Sequence, residues 1–594
     1  MTALNENRDS QLNDTDDYAG PAKAVEHSVS LDSRSPGVRR IEAISTSFTV
    51  VSMTFLFVGV FLVSYAYGLD GQTRSVYQTT ATNSFEVHSL LSTLNVVKSV
   101  IAAAAQPPMS KAADVFGRFE LVSFSAFFYV LGTVIEAAST NIETYAGGQV
   151  LWQLGLTGFQ LLFEVLIADL TSVRNRVLFS YIPALPFLVN AWVSGNVTSA
   201  ILENSTWHWG VGMWCIIIPI TSIPIYVGLI MAKRKAKRDG KLEGLELKYD
   251  RSSIHNGMLW FFWQLDVIGV ILLTAMLALI LIPLTIAGGT SANWHKGDVI
   301  AMLVIGILCI PAFAVWELKF ARHPCVPFHL LNNRTILAGL MIAMMLNMCW
   351  YLQGDYLYTV LSVSFDESVI SATRITSLYS FCSVITGVIG GFVIRYIRRI
   401  KWVAVTGTLI FISALGMMIK YRSASDNGHA GVIGAQILLG VGGGLFPYPV
   451  QALVQASTKH EHVAMITALY LTTYQIGSAI GNSISGAIWT NTLPAQLAQN
   501  LGSLNASLAD IAYSSPFTFI AEYPMGTPER TAVIDAYNHS QKLLTITGTC
   551  LAIPVIIAAL LLGNPRLGDT QALENAESSS ENQLDEQVSD VETK

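Results

Sequence analysis

Charge is scarce in this chain. Only 13% of its 594 residues are Asp, Glu, Lys or Arg, against 52% hydrophobic. No soluble fold of this length hides that much apolar surface, so the solvent for most of the chain is lipid. Cysteine is scarce too: six residues stand singly, with no CxxC and no paired spacing, which argues against a disulfide framework or a thiolate metal site. No GxxxxGK[ST] loop occurs, so ATP-driven transport has no support. All eleven histidines fall in loops, tails or span ends. That removes the intramembrane histidine pair a haem-bearing ferric reductase needs, and an enzyme is not expected. The formal net charge of -6 comes partly from acidic tails, and no nucleic-acid partner is expected.

What the chain does have is about fourteen apolar stretches between Val50 and Leu562, each near the ~20 residues an α-helix needs to cross a bilayer. The expected fold class is therefore an all-α membrane protein. Among the spans, the first reads as 49–69, the thirteenth as 463–490 and the fourteenth as 541–563. Counted from a cytoplasmic N-terminus, simple alternation sorts the basic residues. Lys111, Arg118, Arg174, Arg176, Lys233 to Lys241, Arg334, Arg395, Arg398, Arg399 and Lys459 fall inside, whereas the opposite loops carry Arg74, Lys296, Arg422 and Arg530. The sequons at Asn204, Asn505 and Asn538 then lie outside, where they can be glycosylated, and Asn333 lies inside. Both termini are placed in the cytoplasm. The tails, 1–44 and 564–594, are polar and expected to be disordered.

Between spans two and three stands Asp114-Val115-Phe116-Gly117-Arg118. Glycine allows a tight turn, and the flanking acid and base can pair with helix ends only when two half-bundles close on that side. A partial echo follows span ten, in Gly390-Gly391 with Arg395, Arg398 and Arg399. Paired loops in equivalent halves suit a transporter that rocks about a midplane site, although ordinary positive-inside loops are an equal account of the second.

The Asp114 to Arg118 turn resembles the signature loop of the major facilitator superfamily. More specifically, the fungal siderophore-iron transporter family is similar in Tyr65-Ala66-Tyr67-Gly68-Leu69-Asp70-Gly71, Tyr77-Gln78, His88-Ser89-Leu90-Leu91, Gln106-Pro107, Ala113 to Glu120 and Ala168-Asp169-Leu170-Thr171-Ser172-Val173-Arg174-Asn175-Arg176. The resemblance implies two six-helix bundles, 45–232 and 333–563, joined by a basic cytoplasmic loop at 233–265 and two linker helices within 266–332. It also implies import of intact ferric siderophores in symport with protons, at the plasma membrane or an endosomal membrane. Span four lacks the arginine, and span five the glycine-proline-glycine pattern, of drug-exporting relatives. Both departures favour symport over antiport. An exchanger of another bulky solute, such as glutathione, remains open.

Charges inside a bilayer cost at least ~2.5 kcal/mol at a helix centre, so each is a functional candidate. Lys98, near the middle of span two, either meets an anionic edge of the ligand or pairs with a neighbouring helix. Glu164 in span four is the candidate to take up a proton. Asp70 and Asp355, near the outer ends of spans one and nine, are expected to load protons or simply to be solvated. Glu136 and Asp266 read as interfacial. Asp169 and Arg174, with Asp114, Gly117 and Arg118, form the expected inner gate.

A ferric hydroxamate already satisfies its metal with hard oxygen donors, so no metal ligands and no cofactor are needed. The site must instead offer aromatic faces and amides. On the helices that line the cavity in the superfamily, the candidates are Tyr65, Tyr67, Gln153, Gln160, Asn190, Trp192, Asn347, Trp350, Tyr351, Tyr470 and Tyr474, with Lys98. The outside segment 491–540, carrying Tyr513, Phe517, Phe519 and Tyr523, is too long for a minimal connection. It reads as a lid or as a structural plug, and the resemblance favours substrate capture.

Overall fold

The computed structural model describes residue 44 and residues 46–242, 262–287, 294–321, 328–422, 428–459, 462–502 and 508–568. The expectations for most of both tails, most of the basic loop and the sequon at Asn505 lie outside these residues. Among the described residues there are fourteen helices long and apolar enough to cross a membrane, and no strand. They are α1 Val50–Ser84, α2 His88–Phe116, α3 Arg118–Ala137, α4 Ile142–Leu170, α5 Val173–Asn204, α6 Trp207–Arg238, α7 Val267–Ile286, α8 Gly297–Phe320, α9 Arg334–Ser364, α10 Val369–Ile397, α11 Lys401–Tyr421, α12 Gly428–Ala456, α13 Val463–Leu501 and α14 Pro528–Leu561.

Several helices overrun their apolar cores. The first extends to Ser84, not to residue 69, because its polar second half is buried against other helices: Asp70, Thr73 and Thr82 are fully enclosed. Arg74 is therefore no loop residue. It lies in α1 and is 2% exposed. Arg422 and Arg530 are buried as well, so three of the four cations that had been assigned to the opposite loops are internal. Likewise α13 runs to Leu501 and α14 starts at Pro528, which puts Asn538 inside a helix. Side chains set the helix starts: Thr49 and Ser52 cap α1 reciprocally, and Asn141 accepts from the Thr144 N–H at 2.8 Å to start α4.

In packing, α1 lies against α6 and α3 against α4, while α9 packs on α13 and α14, and α11 on α12. The two halves meet where α2 crosses α13 and α5 crosses α10. These contacts require small residues. A Cβ on Gly155 of α4 would collide with the Tyr129 backbone of α3, and one on Gly477 of α13 with the Met344 carbonyl of α9. The pair α7 and α8 leans on α2 and α13 through α7. Asp266, read as interfacial, stands at the end of a span: only 4% exposed, it caps α7 and accepts from the Trp316 indole at 2.8 Å.

Among the described residues, three membrane helices are interrupted for two residues or more. The helix α5 breaks between Ser180 and Phe187, α9 between Gly354 and Leu357, and α12 between Gly443 and Pro447. Broken backbone survives at membrane depth only where protein or a cavity meets its freed polar groups. The breaks in α5 and α12 both border one cavity.

Candidate functional site

A cavity of ≈ 440 Å³ lies between the halves, within the range of ~300–1,000 Å³ usual for small-molecule sites. Its wall is aromatic and amide-rich. Tyr67 stacks on Phe163, with ring centroids 6.2 Å apart, from the first half; Trp350 meets Tyr351 at 4.8 Å and Tyr379 at 5.7 Å from the second. Tyr448, Tyr470 and Tyr474 complete the aromatic lining, and Gln160, Asn347, Gln451 and Gln475 supply amides. The wall contains one charged side chain, Glu164, and no Lys or Arg. Glu164 accepts from Gln451 Nε2 at 2.8 Å, a bond between α4 and α12 that crosses from one half to the other.

The broken helices explain how this wall holds its shape. Gly444 sits at the break in α12, and its carbonyl accepts from the Tyr181 hydroxyl at 2.7 Å. Tyr470 donates to the nearby Pro447 carbonyl at 3.0 Å. Asn347 reaches across to α13, donating to the Tyr474 carbonyl at 3.0 Å and to Ser478 Oγ. Each bond satisfies a polar group that would otherwise cost ~1–3 kcal/mol unpaired.

On the arginine-rich face, Arg118 pairs with Asp114 at 3.0 Å and with Asp169 at 3.1 Å, bringing the ends of α2, α3 and α4 together. Gly117 holds φ +112, a conformation costly to any residue with a Cβ. Arg174 reaches over to the second half, its Nε donating to the Arg395 carbonyl at 3.3 Å and its backbone N–H meeting the Gly568 carbonyl at 3.2 Å.

On the opposite face, too, side chains bridge the halves. His88 is buried between the halves, one ring nitrogen 3.3 Å from Thr82 Oγ1 and the other 3.2 Å from Thr359 Oγ1. Phe517 packs edge-on against His88 at 5.5 Å and against Tyr358 at 6.1 Å, and its N–H donates to Asn83 Oδ1 at 3.2 Å. The segment expected to be a loop is thus largely helical, with short helices Leu508–Ser514 and Pro516–Glu522 laid over the seam. Phe519 and Tyr523 stack at 4.8 Å within it, and Tyr513 packs alongside the buried core beneath.

The profile of the Major Facilitator Superfamily matches residues 43–481. Siderophore iron transporter 1 of Saccharomyces cerevisiae is 44% identical over 549 residues, covering 91% of this chain and 86% of that protein. The chain belongs to the siderophore iron transporter family of the major facilitator superfamily. Another relative, Siderophore iron transporter ARN1 of the same yeast, is 36% identical over 95% of this chain and 90% of its own length. Among solved structures, a bacterial homologue of the human lysosomal transporter Spinster, in an inward-facing and unoccupied conformation, aligns at a TM-score of 0.52 and 14% identity, covering 86% of this chain and 98% of that one. This likeness is one of fold.

Within this family member, the sequence-chosen residues divide by position. Tyr67, Gln160, Asn347, Trp350, Tyr351, Tyr470, Tyr474 and Glu164 line the cavity. Tyr65, Gln153, Asn190, Trp192 and Lys98 are not among the residues that line it. Asn190 instead donates to the Tyr65 carbonyl at 3.2 Å, and Gln153 to Thr157 at 3.3 Å. Trp192 is 49% exposed on the helix surface, edge-on to Phe381 at 5.6 Å. Lys98 donates to Gln78 Oε1 at 2.7 Å. Asp355 sits at the break in α9, accepting from Asn95 at 2.8 Å.

Asp70 and Glu136 depart from expectation. Neither is solvated, for both are fully buried around Arg74. The sequence reading also passed over Phe163, Tyr379, Tyr448 and Gln451 in the cavity wall. A usable signal existed: Gly442 to Gly444 followed by Pro447 and Pro449 interrupts an otherwise apolar run, with Tyr448 between the prolines and Gln451 just beyond.

Proposed function

We propose that this chain imports intact ferric siderophores, chiefly hydroxamates, in symport with protons by alternating access. The observation that carries the reading is the cavity wall, which is aromatic, amide-rich and free of cations, with Glu164 as its single charge. In a ferric tris-hydroxamate, three singly charged ligands neutralise the metal, leaving a bulky neutral complex. Tris-catecholates leave a large negative charge, and Glu164 would repel it without any cation to compensate. Net anions such as glutathione are disfavoured by the same argument. The wall supplies faces and hydrogen bonds to the organic shell and no metal ligand. The naming of the yeast relatives as siderophore iron transporters supports the substrate class.

In this reading the arginine-rich face meets the cytoplasm, as do both termini, and the membrane is the plasma membrane or an endosomal one. The helical lid over His88 opens to admit substrate, and the Arg118 and Arg174 contacts release it within. Protonation of Glu164 would loosen its bond to Gln451 and so couple the proton to the movement of the halves.

The test is uptake of radioiron, presented as a panel of hydroxamate and catecholate complexes to cells lacking their own carriers, with and without a protonophore. Protonophore-sensitive accumulation of a hydroxamate is expected. Absence of uptake despite surface expression would sink the reading and favour the exchanger.

A further inference from the structure

A second buried polar cluster lies away from the cavity wall, in the first half. Arg74 of α1 is clamped between two carboxylates. Its Nε is 2.9 Å from Asp70 Oδ1 and its Nη2 2.9 Å from Asp70 Oδ2, while Nη1 is 2.7 Å from Glu136 Oε2 on α3. All three are essentially inaccessible to solvent.

The two acids are treated unequally. Asp70 also receives the Tyr129 hydroxyl and, at 3.2 Å, the Trp152 indole N–H. With four donors, its charge is fully met. Glu136 has only the Arg74 contact, at Oε2, and its Oε1 is buried with no hydrogen-bond partner.

The charges around it do not balance either. Facing Glu136 are Asp70 and Arg74 from α1, Lys98 from α2, Tyr145 from α4 and Cys215 from α6, with Tyr129 on its own helix and His208 bonded to Ser139 just beyond the end of α3. Lys98 is tethered through Gln78 to Asn95 and so to Asp355 of the second half. Three carboxylates, Asp70, Glu136 and Asp355, thus share two cations, Arg74 and Lys98. A surplus negative charge among buried groups is costly, and a proton removes it.

We propose that Glu136 is a second carboxylate that takes up a driving proton, in addition to Glu164 in the cavity, an assignment that rests on the proton-coupled reading above. The proton enters from the face opposite the arginine-rich one and forms an O–H bond at Oε1. Oε2 stays on Arg74, the side chain passes from anion to neutral acid, and the surplus charge is gone. Deprotonation toward the other side restores it. Arg74 and Asp70 are the fixed frame, and the chain Gln78, Asn95, Asp355 carries the change in field to the second half.

The test uses the purified full-length chain in liposomes with a radioiron-loaded tris-hydroxamate. Two readouts are compared: accumulation driven by an imposed pH gradient, and exchange of labelled for unlabelled complex with no gradient. Glu136→Gln keeps an oxygen for Arg74 and cannot ionise. It should lose gradient-driven accumulation, falling to the level seen with a protonophore, and flatten the pH profile, while exchange persists. Accumulation by Glu136→Gln like that of the wild type across the pH range overturns the assignment. So does loss of exchange along with accumulation in a folded variant, which would mark a structural role. Loss of drive alone in Asp70→Asn or Asp355→Asn, with Glu136→Gln still driven, moves the site to that residue. A wild type that exchanges without protonophore-sensitive accumulation defeats the coupled reading itself, and this one with it.

Discussion

The hydroxyl of Tyr181 in α5 donates to the carbonyl of Gly444 in α12 at 2.7 Å, joining the two halves at the point where α12 is broken. The ring lies so close to Gly387 of α10 that a Cβ there would strike it. One side chain therefore satisfies a freed backbone carbonyl, fixes the crossing of α5 on α10 and borders the cavity wall through Tyr448, 4.7 Å away. Tyr181→Phe keeps the ring and orphans the carbonyl, a cost of ~1–3 kcal/mol to the closed state. The expected outcome is easier opening of the arginine-rich face. A cysteine placed at Leu178, which packs on Gly391, should label faster with a thiol reagent in this variant than in its Tyr181 parent.

Glu164→Gln tests the cavity's single charge. Glutamine preserves the size of the side chain and leaves Gln451 only a neutral acceptor, while removing ionisation. Proton-driven uptake should be abolished and binding of a hydroxamate complex should remain detectable by equilibrium dialysis. Uptake undiminished across a pH range would take Glu164 out of the coupling step.

The sequence disclosed the fold more fully than the site, for a physical reason. Hydropathy reports which segments lipid can dissolve, so fourteen spans and the Asp114 to Arg118 turn were legible. It is blind to polar residues that other helices enclose. Asp70, Arg74 and Gln78 look like the solvated end of a span when read along the chain, yet they are a buried half of α1. The same blindness hid Glu136 and the helical character of 508–522. Cavity residues were legible on helices where polar and aromatic residues cluster, as in α9 and α13. They were missed in α10 and α12, where Tyr379 stands among Ser377, Ser380 and Ser383 and Tyr448 between Pro447 and Pro449, patterns that read as helix packing and a helix break. Trp192 shows the converse error, an aromatic residue on a cavity helix that points to the helix surface.

Gly117 connects α2 to α3 at φ +112 and delivers Arg118 to both Asp114 and Asp169. Gly117→Ala forces a Cβ into that conformation, which is essentially confined to glycine, at a cost of ~1–3 kcal/mol. The strain is relieved by displacing Arg118, so surface expression should change little and the maximal uptake rate should fall several-fold. Uptake at the wild-type rate would show that the turn tolerates a side chain.

Phe517 meets His88 from the first half and Tyr358 from the second, over a seam where His88 already bridges Thr82 and Thr359. Phe517→Ala removes an aromatic contact from both partners, worth ~0.5–1.5 kcal/mol for each ring pair beyond the area lost. Because the cavity wall does not include this residue, the intrinsic contacts to substrate stay intact. What changes is the balance between lid open and lid closed. A lid that only occludes would, once weakened, raise the rate of substrate entry and leave the ordering of substrates in the panel unchanged. A lid that first captures substrate would lose apparent affinity and leave the maximal rate nearly untouched. Initial uptake rates over a range of complex concentrations separate the two outcomes. The aromatic character of the lid predicts the second, a several-fold rise in half-saturating concentration. A variant indistinguishable from wild type in both parameters would reduce the segment to a structural plug.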